Sequence, residues 1–308
     1  MSIKSLLPFF MLFFLLIACE EEDNEPDHYI ASEEFSEGIF YTEYHAEGIN
    51  FSIETTDSAT FVPAEDKTTM DISESGNVTG QYEPGLYWVR INWENEESDL
   101  LPVVVTPHPQ EAKNTIYALS HMEEESDNFI LVLRHVNANT GEDVGDESGI
   151  QDWWMSCDPD IARQIDDNGK YKAKTIGNNI TKVKMPVSLG ISSEFCRAKQ
   201  TFEFMGVEFP VQIDGRLNHH THNVSPNSTY QNLEDIIIEN PQESGVLLIV
   251  GHSNLLDDNP YSDLIGDLNM ADGFLMKREG EQINFVGAVP FWYWSLLCDC
   301  LQRIKGVQ

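Results

Sequence analysis

Phe129-Ile130-Leu131-Val132-Leu133-Arg134-His135 is an uninterrupted apolar run that stops at an arginine and a histidine. Five apolar residues without alternation fit a strand covered on both faces, the kind found in parallel sheets. The same pattern recurs downstream. Val246-Leu247-Leu248-Ile249-Val250 is apolar throughout and runs into Gly251-His252-Ser253-Asn254. Between them, residues 187–191 read as a strand leading into Ser192-Ser193-Glu194-Phe195-Cys196-Arg197-Ala198-Lys199-Gln200-Thr201. In open α/β sheets ligands bind at the carboxyl ends of strands, so three such ends are expected to converge on one pocket.

The residue types at those ends suit phosphoryl transfer. Two guanidinium groups beside His135 disfavour an imidazolium, which keeps the ring neutral and nucleophilic. Arg134 and Arg197 can hold phosphate oxygens through bidentate, charge-assisted bonds. His252 is placed to stabilise charge on the equatorial oxygens as phosphorus becomes five-coordinate. The product of attack is a phosphohistidine that water then hydrolyses. Each element alone is weak, since Arg-His is a common surface pair and Gly-His-Ser also makes ordinary turns. Their shared placement at strand ends, in sequence order, is what carries the reading.

These residues resemble the histidine phosphatase superfamily, in its phosphoglycerate-mutase-like branch. That branch has Arg-His after its first strand, matched by Arg134 and His135. Its helix signature is matched by Ser192, Ser193, Arg197, Ala198, Gln200 and Thr201, and its Gly-His strand end by Gly251 and His252. Spaced Gly169, Ala173 and Gly177 match an intervening helix. The resemblance covers residues 129–291 and implies His135 as nucleophile, with Arg134, Arg197 and His252 completing the phosphate pocket. It implies no metal and no cofactor, and the substrate is read as a small phosphorylated molecule. The chain departs from the family at Val136, where glycine is usual, and at Gly141, where asparagine is often found. The general acid that would protonate a leaving group is not singled out. Asp146, Glu147, Asp214 and Asp257 are the candidates, with Asp146 and Asp214 foremost.

Around the motifs, strands and helices alternate, which predicts a three-layer α/β/α domain over residues 115–308. Helices are expected from Asp158, with Asp158 as N-cap and Pro159 in the first turn, and over residues 193–205 and 230–239. A hairpin around Gly280 is expected over residues 271–289, then an amphipathic helix over 291–305. Residues 29–108 read instead as strands. Ile49, Phe51 and Ile53 alternate with polar neighbours, as do Tyr87, Val89, Ile91 and Trp93 after the turn Pro84-Gly85. The stretch Pro84-Gly85-Leu86-Tyr87-Trp88-Val89 resembles a late strand of Ig-like sandwiches. A small all-β domain, serving as a spacer or as a module for a surface protein or glycan, is expected. Thr106-Pro107-His108-Pro109 stiffens the boundary.

The amino terminus reads as a leader. Lys4 precedes an apolar run that ends in Leu16-Ile17-Ala18-Cys19, too short to span a bilayer and similar to a bacterial lipobox. Residues 1–18 are expected to be a signal peptide and Cys19 a lipidated anchor. Residues 19–28 form an acidic tether that resembles a surface-export signal. The implied location is extracytoplasmic, on the outer membrane and facing outward. In such an oxidising compartment Cys157 and Cys196 are disulfide candidates, since the motifs bring both near one site. Cys298 and Cys300 are too close along a helix to pair with each other.

Charge bounds the partners. The chain carries 18 Lys and Arg against 52 Asp and Glu, a formal −34. Such a field opposes nucleic acid and anionic surfaces. The basic residues that exist gather between Arg163 and Lys199, where they either focus an anionic substrate or balance a solvated helix. His219, His220 and His222 lack the cysteine or HExxH companions of a zinc site and read as a loop. Trp153-Trp154 reads as packing or as the pocket mouth. Two functions follow: an extracytoplasmic phosphatase, or a catalytically silent protein that keeps the phosphate pocket for binding.

Overall fold

The computed structural model describes residues 34–306 except 56, 95–97, 126–127, 220–221, 223–224, 226 and 243. The leader, Cys19, the acidic tether and His220 lie outside the described residues.

The amino-terminal segment is all strand. It comprises β1 (Phe35–Ser36), β2 (Ile39–Glu43), β3 (Ile49–Ser52), β4 (Ala59–Pro63), β5 (Asn77–Gly80), β6 (Gly85–Trp93) and β7 (Ser98–Thr106). Five form a sheet in the order β1-β2-β7-β6-β4, and β3 pairs with β5 in a separate ribbon. Strand β2 runs parallel to β7, while β6 is antiparallel to both β7 and β4. The alternating residues Val89 and Ile91 of β6 face a core shared with Phe40, Phe61, Met70 and Val78. Trp88, Leu86 and Val104 point the other way, into the core of the next unit. Central strand β7 is therefore covered on both faces, which explains its continuous run of Leu101 to Val105.

The next unit begins with α1 (Pro109–Ser120) and α2 (Met122–Glu125). Helix α1 has no counterpart in the expectations above, although Pro109 opens it and Ala112, Ile116 and Leu119 mark its buried stripe. A six-stranded sheet follows, built from β8 (Phe129–Arg134), β9 (Val187–Ser192), β10 (Val211–Ile213), β11 (Val246–Gly251), β12 (Gly273–Glu279) and β13 (Gln282–Val289). Its order is β10-β9-β11-β8-β12-β13. The first four are parallel, and the β12–β13 hairpin, turning at Gly280, is antiparallel. The remaining helices are α3 (Asp167–Lys182), α4 (Cys196–Met205), α5 (Thr229–Glu239), α6 (Ser262–Ile265) and α7 (Trp292–Gly306).

Alternate residues of the central strands go to opposite layers. Leu131, Leu133, Leu248 and Val250 pack with Ile116 of α1, Ile176 of α3, Phe202 of α4 and Leu297 of α7. Ile130, Val132, Leu247 and Ile249 pack with Leu233 and Ile236 of α5. Helices α3 and α4 approach so closely that a Cβ on Gly177 would lie 1.9 Å from the Met205 carbonyl oxygen. Among the described residues, no helix is long and apolar enough to cross a membrane.

One expected helix starts elsewhere. Asp158 does not open a helix: its carboxylate and carbonyl close a local turn onto Asp160, Ile161 and Ala162. The chain then leaves as an extended segment, tied by the Thr140–Gln164 bridge. The helix begins at Asp167, where the Asp166 side chain accepts from the Gly169 amide at 2.7 Å.

Candidate active site

Strand register brings the three motifs to one edge. Arg134 pairs with Gly251 across β8 and β11, and Val250 pairs with both Leu133 and Ser192. Arg134-His135, Ser192-Ser193 and Gly251-His252 therefore end at the same level of a parallel sheet. His135 donates its main-chain amide to the Gly251 carbonyl, and Ser193 donates to the Val250 carbonyl. Helix α4 starts just beyond and supplies Arg197. Thr201, one turn later, accepts from the Val136 amide at 3.3 Å, and Gln200 accepts from the Ile165 amide at 3.0 Å. The Gln-Thr pair thus ties the loop after His135 onto α4.

His135 has a defined tautomer. Its Nδ1 lies 2.8 Å from the Val136 carbonyl oxygen, an acceptor, so Nδ1 carries the proton. Its Nε2 is left with a lone pair, which accepts from Arg197 Nε at 3.3 Å. Burial, then the Arg197 charge, hold the ring well below the usual histidine range, with Arg134 and Arg163 adding to the effect against the Val136 carbonyl. A neutral imidazole with an unprotonated Nε2 is what a nucleophile requires.

His252 sits beside it, with ring centroids 5.1 Å apart in an edge-on arrangement. Its Nε2 is 2.8 Å from Ser193 Oγ. Its Nδ1 is buried and has no hydrogen-bond partner among the described residues. If Ser193 donates to Nε2, Nδ1–H is the donor left over for a substrate oxygen. Burial, followed by His135 and Arg197, pushes the His252 ring well down.

Three guanidinium groups crowd this corner. Arg197 is pushed down to about 10, first by burial and then by Arg163 and Arg134, with Asp143 opposing. Arg134 anchors Nη1 on the Leu268 carbonyl at 2.8 Å, while its buried Nε has no partner among the described residues. Arg163 and Asp143 were not singled out as site residues in the sequence. Asp143 accepts from the Arg163 amide and Nε, both at 2.9 Å, and lies 3.5 Å from Arg197 Nη1. Burial raises this carboxyl, but the Arg163 amide and the Arg197 charge outweigh it and hold the group below the ordinary range.

The wall beside these residues is aromatic. Phe195 lies 4.7 Å from the His252 ring and 4.3 Å beneath the Arg197 guanidinium. Trp154 stacks on His222 at 4.2 Å, and Trp153 meets both His222 and Phe195 edge-on. Cys157 and Cys196 form a disulfide that fastens this loop to the first residue of α4, next to Arg197. Gly141 departs from the family pattern for a local reason, since at φ 77° a Cβ would lie 2.2 Å from the Pro159 carbonyl oxygen. Val136 is fully buried in the main core.

The two foremost candidate acids each have a partner. Asp146 accepts from Trp153 Nε1 at 2.8 Å and lies 3.9 Å from His222 Nε2, with its side chain largely exposed. Asp214 caps a short turn and pairs with Arg216 at 2.7 Å. Glu147 is exposed, and Asp257 follows the turn Ser253–Leu256. Among the described residues no group of three or more His, Cys, Asp and Glu could hold a metal ion.

No protein-family model matches the sequence, and no curated protein matches it. Solved structures do resemble it. The protein histidine phosphatase SixA, complexed with tungstate, is 14% identical, with 53% of this chain and 97% of that one covered and a TM-score of 0.38. The alpha-ribazole phosphatase from Shigella flexneri is 16% identical, over 53% of this chain and 96% of its own, at a TM-score of 0.36. The phosphoserine phosphatase from Entamoeba histolytica is 12% identical, over 54% and 98%, at 0.37. Over about half its length the chain is thus similar to solved phosphatases, a protein histidine phosphatase among them.

Proposed function

We propose that this chain is a histidine-phosphatase-type phosphohydrolase acting on a small phosphorylated molecule through a phosphohistidine at His135. The observation that carries the proposal is the fixed tautomer of a neutral, buried His135, whose Nε2 lone pair faces Arg197. Attack by Nε2 forms an N–P bond and breaks the P–O bond to the leaving group, which departs with the bonding electrons and takes a proton from water. Arg134, Arg197 and the Nδ1–H of His252 hold the three equatorial oxygens as charge builds on them. Water then attacks phosphorus, the N–P bond breaks, and phosphate leaves with His135 neutral again.

We further propose that the protein lies outside the cytoplasm, tethered to the outer membrane through Cys19 and facing outward. The Cys157–Cys196 disulfide supports an oxidising compartment. The parallel pairing of β2 with β7 beside antiparallel β7–β6 supports an Ig-like reading of the amino-terminal domain, whose partner would be a surface protein or glycan. One observation favours the silent binding protein instead: Asp146 and Asp214, the foremost acids, are bonded to Trp153 and Arg216.

The test is release of phosphate from p-nitrophenyl phosphate by the purified chain, with EDTA, beside His135→Ala. Activity that survives the chelator and disappears in the variant supports the enzyme. No turnover from pH 4 to 8, with vanadate still bound, favours the binder. Failure to bind vanadate or phosphate overturns both.

A further inference from the structure

Asp143 is placed where a substrate anion would be expected. Three cations gather here: Arg163 and Arg134 both act against the charge on Arg197, Arg163 acts against that on Arg134, and a phosphate dianion is the natural ligand for such a cluster. The carboxylate of Asp143 bridges two of them. It takes the Arg163 amide and Nε at 2.9 Å and reaches Arg197 Nη1 at 3.5 Å. Another donor of Arg197, Nε, points at the nucleophilic Nε2 of His135. A phosphate seated against His135 therefore meets an Arg197 whose Nε and Nη1 already face His135 and Asp143. The two contacts of Asp143 are unequal: the one to Arg163 is short and twofold, the one to Arg197 long and single. Asp143 can release Arg197 and stay anchored on Arg163.

We propose that Asp143 is a built-in competitor for the phosphate site, occupying Arg197 in the free enzyme and yielding it when substrate phosphate binds. This rests on the phosphate-pocket reading of Arg134, His135, Arg197 and His252. Its consequence is kinetic as well as energetic. Asp143 neutralises a buried guanidinium while the site is empty, weakens the grip on inorganic phosphate, and helps product leave. It is a positioning residue for Arg197 and need not touch the reacting atoms.

The test is titration of the purified full-length chain with inorganic phosphate by calorimetry, comparing wild type with Asp143→Asn, Asp143→Ser and Asp143→Glu. Removing the negative charge is expected to tighten phosphate binding about ten-fold, while the Glu variant stays near wild type. Damage to the fold would weaken binding, so a gain in affinity is a readout that a merely structural role does not give. The Ser variant, smaller and uncharged, covers failure of the Asn variant to fold, and thermal midpoints identify such a failure. Equal or weaker binding by folded uncharged variants, with wild type binding normally, overturns the competitor role and leaves the pocket standing. Absence of phosphate binding in wild type and variants alike overturns the pocket reading, and the competitor with it.

Discussion

Breaking the Cys157–Cys196 disulfide should cost both stability and activity. The bridge joins residues 39 apart in sequence, with Cα atoms 5.3 Å apart in the fold. In the chain-entropy model, closing a loop of that length removes about 4 kcal/mol of disorder from the unfolded state. For a unit of roughly 200 residues, each kcal/mol moves the midpoint by about 2–4 °C, so the double variant Cys157→Ser/Cys196→Ser should melt on the order of 10 °C lower. Activity should fall as well. The bridge holds α4 by its first residue, and Arg197 follows directly; the loop it fastens carries Asp143, Trp153 and Trp154. A misplacement of Arg197 by about 1 Å is worth as much as 100-fold in rate. The assay is differential scanning calorimetry of the oxidised chain, the chain in dithiothreitol and the double variant, with kcat/KM measured below each midpoint. Thiol titration establishes how many cysteines are free in each sample. A double variant that melts within about 2 °C of wild type, with unchanged kcat/KM, would refute the reasoning.

Other outcomes follow from the same geometry. Arg197→Ala should lower kcat/KM at least 100-fold in a phosphatase assay, since it removes a buried donor from the developing charge. Gly177→Ala should destabilise the fold by about 1–3 kcal/mol in urea titration, because its Cβ would meet the Met205 carbonyl at 1.9 Å. His135 and His252 have depressed values in the fold, so below the unfolded histidine value of about 6.5 the unfolded chain takes up protons that the native chain refuses. Stability should therefore be full above pH ~7 and fall as pH drops through ~6.5, by at most about 1.4 kcal/mol per pH unit for each ring. Urea midpoints at a series of pH values, for wild type and His252→Gln, check the sign and show whether the slope shrinks in the variant.

Much of the site was legible because its strands are. A continuous apolar run reads as a strand buried on both faces, and β8 and β11 end in Arg134-His135 and Gly251-His252 at the same edge of the sheet. Arg197 was legible through its Ser-Ser and Gln-Thr companions, which prove to bond His252, Val136 and Ile165. Asp143 was not, for a plain reason. Among 52 carboxylates, composition gives no contrast, and the residue matters only because the loop folds back onto Arg163, twenty residues on. The start of α3 was misread because Asp158-Pro159 looks like a helix opening, whereas a β-bridge between Thr140 and Gln164 keeps the chain extended. Tertiary pairing overrode a local signal. Helix α1 went unread because its stripe of Ala112, Ile116 and Leu119 is short and lies across the boundary between the two kinds of periodicity.

The central claim is that phosphorus passes through Nε2 of His135. Rapid mixing of the purified chain with substrate, a quench in alkali and mass spectrometry of the peptide bearing Arg134-His135 measure it directly. The account predicts an adduct of one phosphoryl group on His135, stable in base, lost in acid, and absent from His135→Ala. Turnover of phosphate with no such adduct, or an undiminished rate in His135→Ala, would contradict it.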